Sequence, residues 1–161
     1  MEKVFLGLGS NIGNRAGYIK KAIKGISLIK GINIIARSSL YETEPWGLKN
    51  QRKFLNCVIV CLSKLKPYDL FRNLRKLEQN IGRKRRVKWG PREIDIDILF
   101  FGNRKIKTIN YTIPHPMIAT RNFVLVPLVE LFPSFVHPVL KIKLPDLLKK
   151  SNDYGKVEIY N

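Results

Sequence analysis

The spacing of apolar residues changes several times along the chain, and each change marks an element. Residues 3–9 carry Val4, Phe5, Leu6 and Leu8 in a short apolar run, the pattern of a buried strand, which ends in a polar turn at Ser10, Asn11 and Asn14. From 15 to 30, Ile19, Ile23, Ile26 and Ile29 recur at helical spacing, with Asn14 or Asn11 as the cap and Gly31 as the stop. Residues 33–43 read as a strand, 44–51 as a loop punctuated by Pro45 and Gly47, and 54–63 as another strand. Pro67 suits the first turn of a second helix. That helix has a stripe of Leu70, Leu74, Leu77 and Ile81, and Gly82 supplies its C-terminal stop. A basic loop over 83–89 leads into a strand over 93–101, and short helices are expected near 120–131 and 145–150.

The order β-α-β-β-α-β predicts an α+β fold of the ferredoxin-like kind. It implies an antiparallel sheet with helices on one face, the other face available for ligands, and a C-terminal extension. Residues 1–161 read as a single domain, with no internal repeat, linker or low-complexity tract.

Composition narrows the class. The chain has 161 residues, 45% of them hydrophobic and 26% charged, which excludes a disordered, collagen-like or disulfide-stapled chain. Cys57 and Cys61 share one face of a predicted strand, too far apart along the chain to bridge, and read as core thiols. No run approaches the ~20 apolar residues of a membrane span, and Val4 to Leu8 is shorter than a secretory core. A cytoplasmic location without a membrane partner is expected. The balance of 30 Lys plus Arg against 12 Asp plus Glu gives +18, which favours anionic ligands. Runs such as Lys20-Lys21 and Lys149-Lys150 belong to solvated surface, whereas guanidinium forks suit phosphate.

The segment from Arg92 to Phe101 carries the most chemistry. Ile94, Ile96 and Ile98 fall on one face of the strand, with Asp95 and Asp97 on the other. Two strand residues separate the acids by about 6.6 Å at the backbone, a gap that side chains close onto one Mg²⁺ or a metal pair. Acids in mid-strand need compensation. A solvent-facing surface, or a pair between Asp95 and Arg92, is the alternative. Arg83, Lys84, Arg85, Arg86, Lys88 and Arg92 precede the acids and Arg121 follows. Metal-holding carboxylates beside phosphate-holding guanidiniums are the parts of a phosphoryl-transfer site. Gly90-Pro91 marks a turn, so the basic loop reads as a candidate lid. Gly7 to Gly13 lacks the Lys-Ser/Thr of a P-loop and reads as a tight strand-to-helix turn. Trp46, Phe54, Trp89 and Phe123 near Asn56 would sandwich a flat heterocycle if they converge, and pack as ordinary core if they do not. His115 and His137 have no partner at zinc spacing; a nucleotide contact is open for His115, and His137 reads as structural.

Several ordered blocks then coincide: Leu8 to Gly13, Tyr41 to Gly47, Phe54 to Asn56, Glu78, Gly82-Arg83, Trp89 to Ile98, and Ile113 to His115 with Arg121. Over about residues 4 to 140 the chain resembles the 6-hydroxymethyl-7,8-dihydropterin pyrophosphokinase family of folate biosynthesis. The resemblance implies transfer of the pyrophosphoryl group of ATP to the pterin hydroxymethyl, with release of AMP. It implies two Mg²⁺ ions on Asp95 and Asp97, catalytic roles for these acids with Arg83, Arg85 and Arg92, and ATP contacts at Glu78, Arg92, Ile98, Thr112, His115 and Arg121. It implies a pterin pocket of Thr43, Pro45, Trp46, Phe54, Asn56, Trp89 and Phe123, with the two Phe rings stacking on the pterin, in a monomer. Pro116 stands where some members carry an aromatic, Arg75 replaces an amide, and 83–88 is one residue shorter than in some members.

Two other readings share the element order. An RNA-binding module fits the charge, but Phe54 to Cys61 lacks its basic-glycine-aromatic pattern, and two acids on the fourth strand repel phosphate. A non-catalytic ligand-binding regulatory domain leaves the Arg and Asp cluster unused. No nucleic-acid partner is expected.

Overall fold

The computed structural model describes residues 1–84 and 89–161. Strand β1 (Glu2–Ser10) is followed by helix α1 (Arg15–Ser27), strands β2 (Ile32–Arg37), β3 (Tyr41–Thr43) and β4 (Phe54–Ser63), helix α2 (Pro67–Ile81) and strand β5 (Asp95–Phe101). A small hairpin of β6 (Ile106–Lys107) and β7 (Thr112–Ile113), helices α3 (Asn122–Leu131) and α4 (Leu144–Lys150), and strand β8 (Val157–Ile159) complete the chain. The main sheet is antiparallel in the order β5-β1-β4-β3-β8, with β2 also against β4. This is the expected ferredoxin-like arrangement.

The cap and stop residues act as the chain pattern predicts. Asn14 caps α1 by accepting from Gly17 N at 2.9 Å. Asn11 is used elsewhere, as described below. Pro67 starts α2, and Gly82 ends it with φ of 111°, a conformation that favours glycine.

The expected strand over 33–43 is two strands. Register runs from Arg37 opposite Ile59 to Tyr41 opposite Asn56, so one extra residue must be absorbed between them. Ser38 absorbs it. Its N–H donates to Val58 O, and its hydroxyl accepts from Val58 N, both at 2.9 Å. A side chain therefore stands in for a ladder carbonyl.

Alternation along the strands divides the core. Val4, Leu6, Leu8, Cys57, Ile59, Ile96 and Ile98 meet α1 and α2 through Ile19, Ile26, Leu70 and Leu74. On the opposite face Phe5, Val60 and Phe100 meet Leu125 and Leu128 of α3 and Leu144 and Leu147 of α4. The C-terminal extension thus covers one end of the second face. The other end, around Gly7, Gly9, Asn56, Asp95 and Asp97, remains a cleft.

Phe5 is the hub of the second core, with ring centroids 5.5, 5.4 and 4.9 Å from Phe100, Phe132 and Phe135. It has no exposed surface. Phe5→Ala is expected to cost about 3–5 kcal/mol, chiefly through an unfilled cavity. Equilibrium urea unfolding checks this, and a loss below ~1 kcal/mol is incompatible with the packing described.

Candidate active site

The floor of the cleft is β1, and glycine makes it accessible. Gly7 pairs with Val58 on one side and Asp97 on the other, and Gly9 with Asn56 and Asp95. A Cβ on Gly9 would lie 2.6 Å from Asn56 Oδ1, and one on Gly7 3.4 Å from Leu99. The tight turn expected in this segment is present only at Gly13, where φ is +59°. Leu99 reaches the floor through a bulge, because Leu6 pairs with Ile98 and Phe5 with Phe100.

The two acids project into the cleft from β5, as alternation predicted. Arg92 Nη1 and Arg83 Nη1 each lie 2.8 Å from Asp95. The pairing of Asp95 with Arg92, the alternative to a metal site, is present. Arg75 Nη2 lies 3.5 Å from Asp97 Oδ1. Burial opposes charge on Asp95, but Arg92, Arg83 and Arg75 outweigh it and hold its carboxyl below the usual range. Burial, reinforced by the negative charge of Asp95, pushes Asp97 up. Among the described residues no third acid, His or Cys joins them in a metal-sized group.

Glu78, 2% exposed, supports this pair from behind the sheet edge. Its Oε1 accepts from Ile96 N at 2.7 Å, and its carboxylate meets Arg83 at 2.5 Å and Arg75 at 2.9 Å. Burial pushes Glu78 up to about 7, with Asp95 adding to the rise and the two arginines opposing it.

Asn11, fully buried, ties the rim together. It donates to Gln51 Oε1 and Arg52 O at 3.0 Å and accepts from Arg92 N at 2.8 Å. Trp89 sits at the rim with φ of 59°, and its carbonyl accepts from Gln51 Nε2 at 2.9 Å. Trp46 meets Trp89 edge-on at 5.8 Å and donates to Thr120 O at 3.2 Å. The Arg121 guanidinium lies 4.6 Å from the Trp46 ring and 5.6 Å from Phe123. Its Nε is buried with no hydrogen-bond partner, and among the described residues no carboxylate pairs with it.

Ten of the residues expected in the site line this one cleft: Trp46, Phe54, Asn56, Trp89, Arg92, Asp95, Asp97, His115, Arg121 and Phe123. The others take other places. Thr43 lies beneath the floor, its hydroxyl accepting from Asn56 Nδ2 at 2.7 Å. Pro45 is buried in the adjoining loop, where its carbonyl accepts from Lys49. Glu78 and Arg83 stand at the β5 edge, Ile98 packs in the helix-covered core, and Thr112 lines a neighbouring groove with His115. Arg85 lies outside the described residues. Chain reading missed Asn11 as a rim clamp and Arg75 as a partner of Asp97. Neither carries a local signal, since each acts on residues far away in the chain.

Comparisons with known proteins place the chain in a family. The signature of the family described as 7,8-dihydro-6-hydroxymethylpterin-pyrophosphokinase matches residues 5–133. The chain belongs to that family. It is 43% identical over 146 residues to the 2-amino-4-hydroxy-6-hydroxymethyldihydropteridine pyrophosphokinase of Aquifex aeolicus, covering 91% of this chain and 90% of that protein. Identity to the Bacillus subtilis protein of the same name is 39% over 127 residues, or 79% and 76% of the two chains. Against the folate synthesis bifunctional protein of Arabidopsis thaliana identity is 45%, but only 27% of that longer protein is spanned. The crystal structure of Plasmodium falciparum HPPK-DHPS with pteroate superposes with a TM-score of 0.76 at 18% identity, over 92% of this chain and 42% of that one. That likeness concerns the fold.

His115 adds a test in solution. Its Nδ1 accepts from Met117 N at 3.2 Å, which requires a neutral ring nitrogen. Burial, aided by Arg121, pushes its pKa down to about 4. The unfolded chain therefore binds a proton below pH 6.5 that the folded chain refuses until about pH 4. Stability from this group is present above 6.5 and lost on acidification through that window. His115→Asn, which keeps an acceptor near Nδ1, should lose less stability between pH 7 and 4.5, by on the order of 2 kcal/mol. Urea titrations of both proteins at the two pH values measure it, and identical losses would contradict the assignment.

Proposed function

We propose that this cleft is where the pyrophosphokinase moves the pyrophosphoryl group of ATP to 6-hydroxymethyl-7,8-dihydropterin, and that Asp95 and Asp97 bind two Mg²⁺ ions there. One observation carries the reading: an acidic pair, four arginines and a set of aromatic rings converge on one opening in the sheet. The donor set fits a hard divalent cation, since both acids offer oxygen only and share one face of a strand. Bound there, the metal supplies charge neutralisation for the phosphates and acidity for the pterin alcohol.

The chain's own groups account for the remaining steps. The hydroxymethyl oxygen attacks the β-phosphorus, the bond from that phosphorus to the α,β-bridging oxygen breaks, and AMP leaves as the alcohol proton is released. Arg92 and Arg121 line the cleft and offer donors to the phosphate oxygens, where charge shifts during transfer. Arg83 joins them from the β5 edge, and Arg85 shares this role in the proposal. Glu78, Ile98, Thr112 and His115 take the nucleotide side. Phe54 and Phe123 flank the flat pterin, with Trp46, Trp89 and Pro45 closing the rim. Thr43 fixes the Asn56 amide so that its oxygen faces the opening above Gly9 and accepts from the pterin's amide edge.

The same proposal takes the enzyme to be a monomer. A reducing cytoplasm suits the two free, buried thiols, and among the described residues no helix is long and apolar enough to cross a membrane.

Asp95→Asn and Asp97→Asn should each reduce AMP release with ATP, Mg²⁺ and the pterin by about 10³-fold or more, the scale of losing several kcal/mol of charge stabilisation. Far-ultraviolet circular dichroism should remain native. Turnover retained in both variants refutes the metal assignment. Gly9→Ala, which drives a methyl into Asn56 Oδ1, should raise the pterin KM at least tenfold and leave the ATP KM within twofold. Equal changes in both constants count against the pterin floor.

A further inference from the structure

We propose that Asp153, in the C-terminal tail beyond the family-matched stretch, is a positioning residue that clamps two walls of the cleft to each other. The inference rests on the pterin reading of that cleft. Helix α3 begins at Asn122 and has no side-chain cap of its own, because Arg121 occupies the cap position. Its first N–H groups would otherwise lack partners. Asp153 supplies one from 31 residues away in the chain: Asn122 N donates to Asp153 Oδ2 at 2.7 Å. The Asn122 side-chain amide donates to Asp153 O, also at 2.7 Å. A carboxylate at a helix start is favoured by charge as well as by hydrogen bonding. Asn122 stands between Arg121, at the cap position, and Phe123, which with Val124 form one wall.

The second oxygen of Asp153 acts on the opposite wall. Oδ1 accepts from Gly155 N at 3.0 Å and turns the chain into β8. There Lys156 O accepts from Glu44 N at 3.3 Å, and Val157 pairs with Thr43. Tyr160 N adds a bond to Leu40 O at 2.9 Å. Strand β3 holds Thr43 against Asn56 and leads directly to Trp46. One carboxylate therefore links the α3 wall to the β3 wall. Direct bonds between them are Trp46 Nε1 to Thr120 O beside the cleft and, at the far end of α3, Tyr41 Oη and Ser39 N to the Glu130 carboxylate. Glu130 ties the far end of α3, so without Asp153 it is the start of α3 that loses its cap, and the spacing between Phe123 and Trp46 is no longer held from behind at that end.

Asp153→Asn and Asp153→Ala test this in the full chain, with Arg104→Ala as a remote control that breaks the pair to Glu2 and the contact over the Phe101 ring. The pterin KM should rise about fivefold in Asp153→Asn and more in Asp153→Ala, as for a lost helix cap, with ATP KM and kcat within twofold. Two readouts need no turnover. Trp46 and Trp89 are the only tryptophans, so emission of the ligand-free protein should shift in the Asp153 variants and not in the control. Hydrogen exchange should speed up at residues 123–125 and at Thr43. Unchanged emission and exchange overturn the clamp. So does a pterin KM no higher than in a control of equal melting temperature. A parent protein that forms no AMP from ATP and the pterin overturns the reaction assigned to the cleft instead, and emission and exchange still decide the clamp.

Discussion

The site depends on how the chain finishes an open sheet edge. Strand β5 ends the sheet order, so its outer backbone groups need partners other than a neighbouring strand. Side chains of α2 provide them: Glu78 accepts from Ile96 N, and Arg75 donates to Ile96 O. A buried Glu requires cations, and Arg75 and Arg83 meet it. These arginines extend past the edge and reach Asp97 and Asp95 in turn. Backbone satisfaction at the edge and charge balance in the cleft are thus one network. The acids can sit in mid-strand, where they are unfavourable alone, because the helix behind them brings the counter-charges.

Elements governed by local period were legible from the chain. The stripe of α2, the Asn14 cap, the Gly82 stop and the division of Ile96 from Asp97 are all consequences of residues close in sequence. The acidic pair was legible because alternation puts both acids on one face and arginines cluster before them. Failures occurred where a distant element decides. Ser38 breaks the long second strand because its hydroxyl meets Val58 on β4, a partner no window around 33–43 contains. Gly7 and Gly9 resembled a turn or phosphate loop; their function as an uncovered floor appears only when Asn56 and Leu99 are known to lie beside them. Asp153, a single acid in a short polar stretch, carries no signal until α3 is found without a cap.

The large positive charge separates by residue type. Every lysine among the described residues is exposed, whereas Arg15, Arg75, Arg83, Arg92 and Arg121 are all partly buried. The chemistry of the two cations explains the division. An ammonium is compact and strongly hydrated, so it stays in water. A guanidinium is planar and less hydrated. It holds two or three oxygen partners at once, as Arg83 does between Glu78 and Asp95, or stacks on rings, as Arg121 does between Trp46 and Phe123. The net charge of +18 is thus mainly a lysine coat, spread over helices and loops. The discriminating charge is the small set of arginines turned inward. An RNA-binding surface of this fold would need its cations on the exposed sheet face with no acids among them. Here that face carries two carboxylates already held by arginine, and those guanidiniums can exchange one oxyanion partner for another within one small cleft.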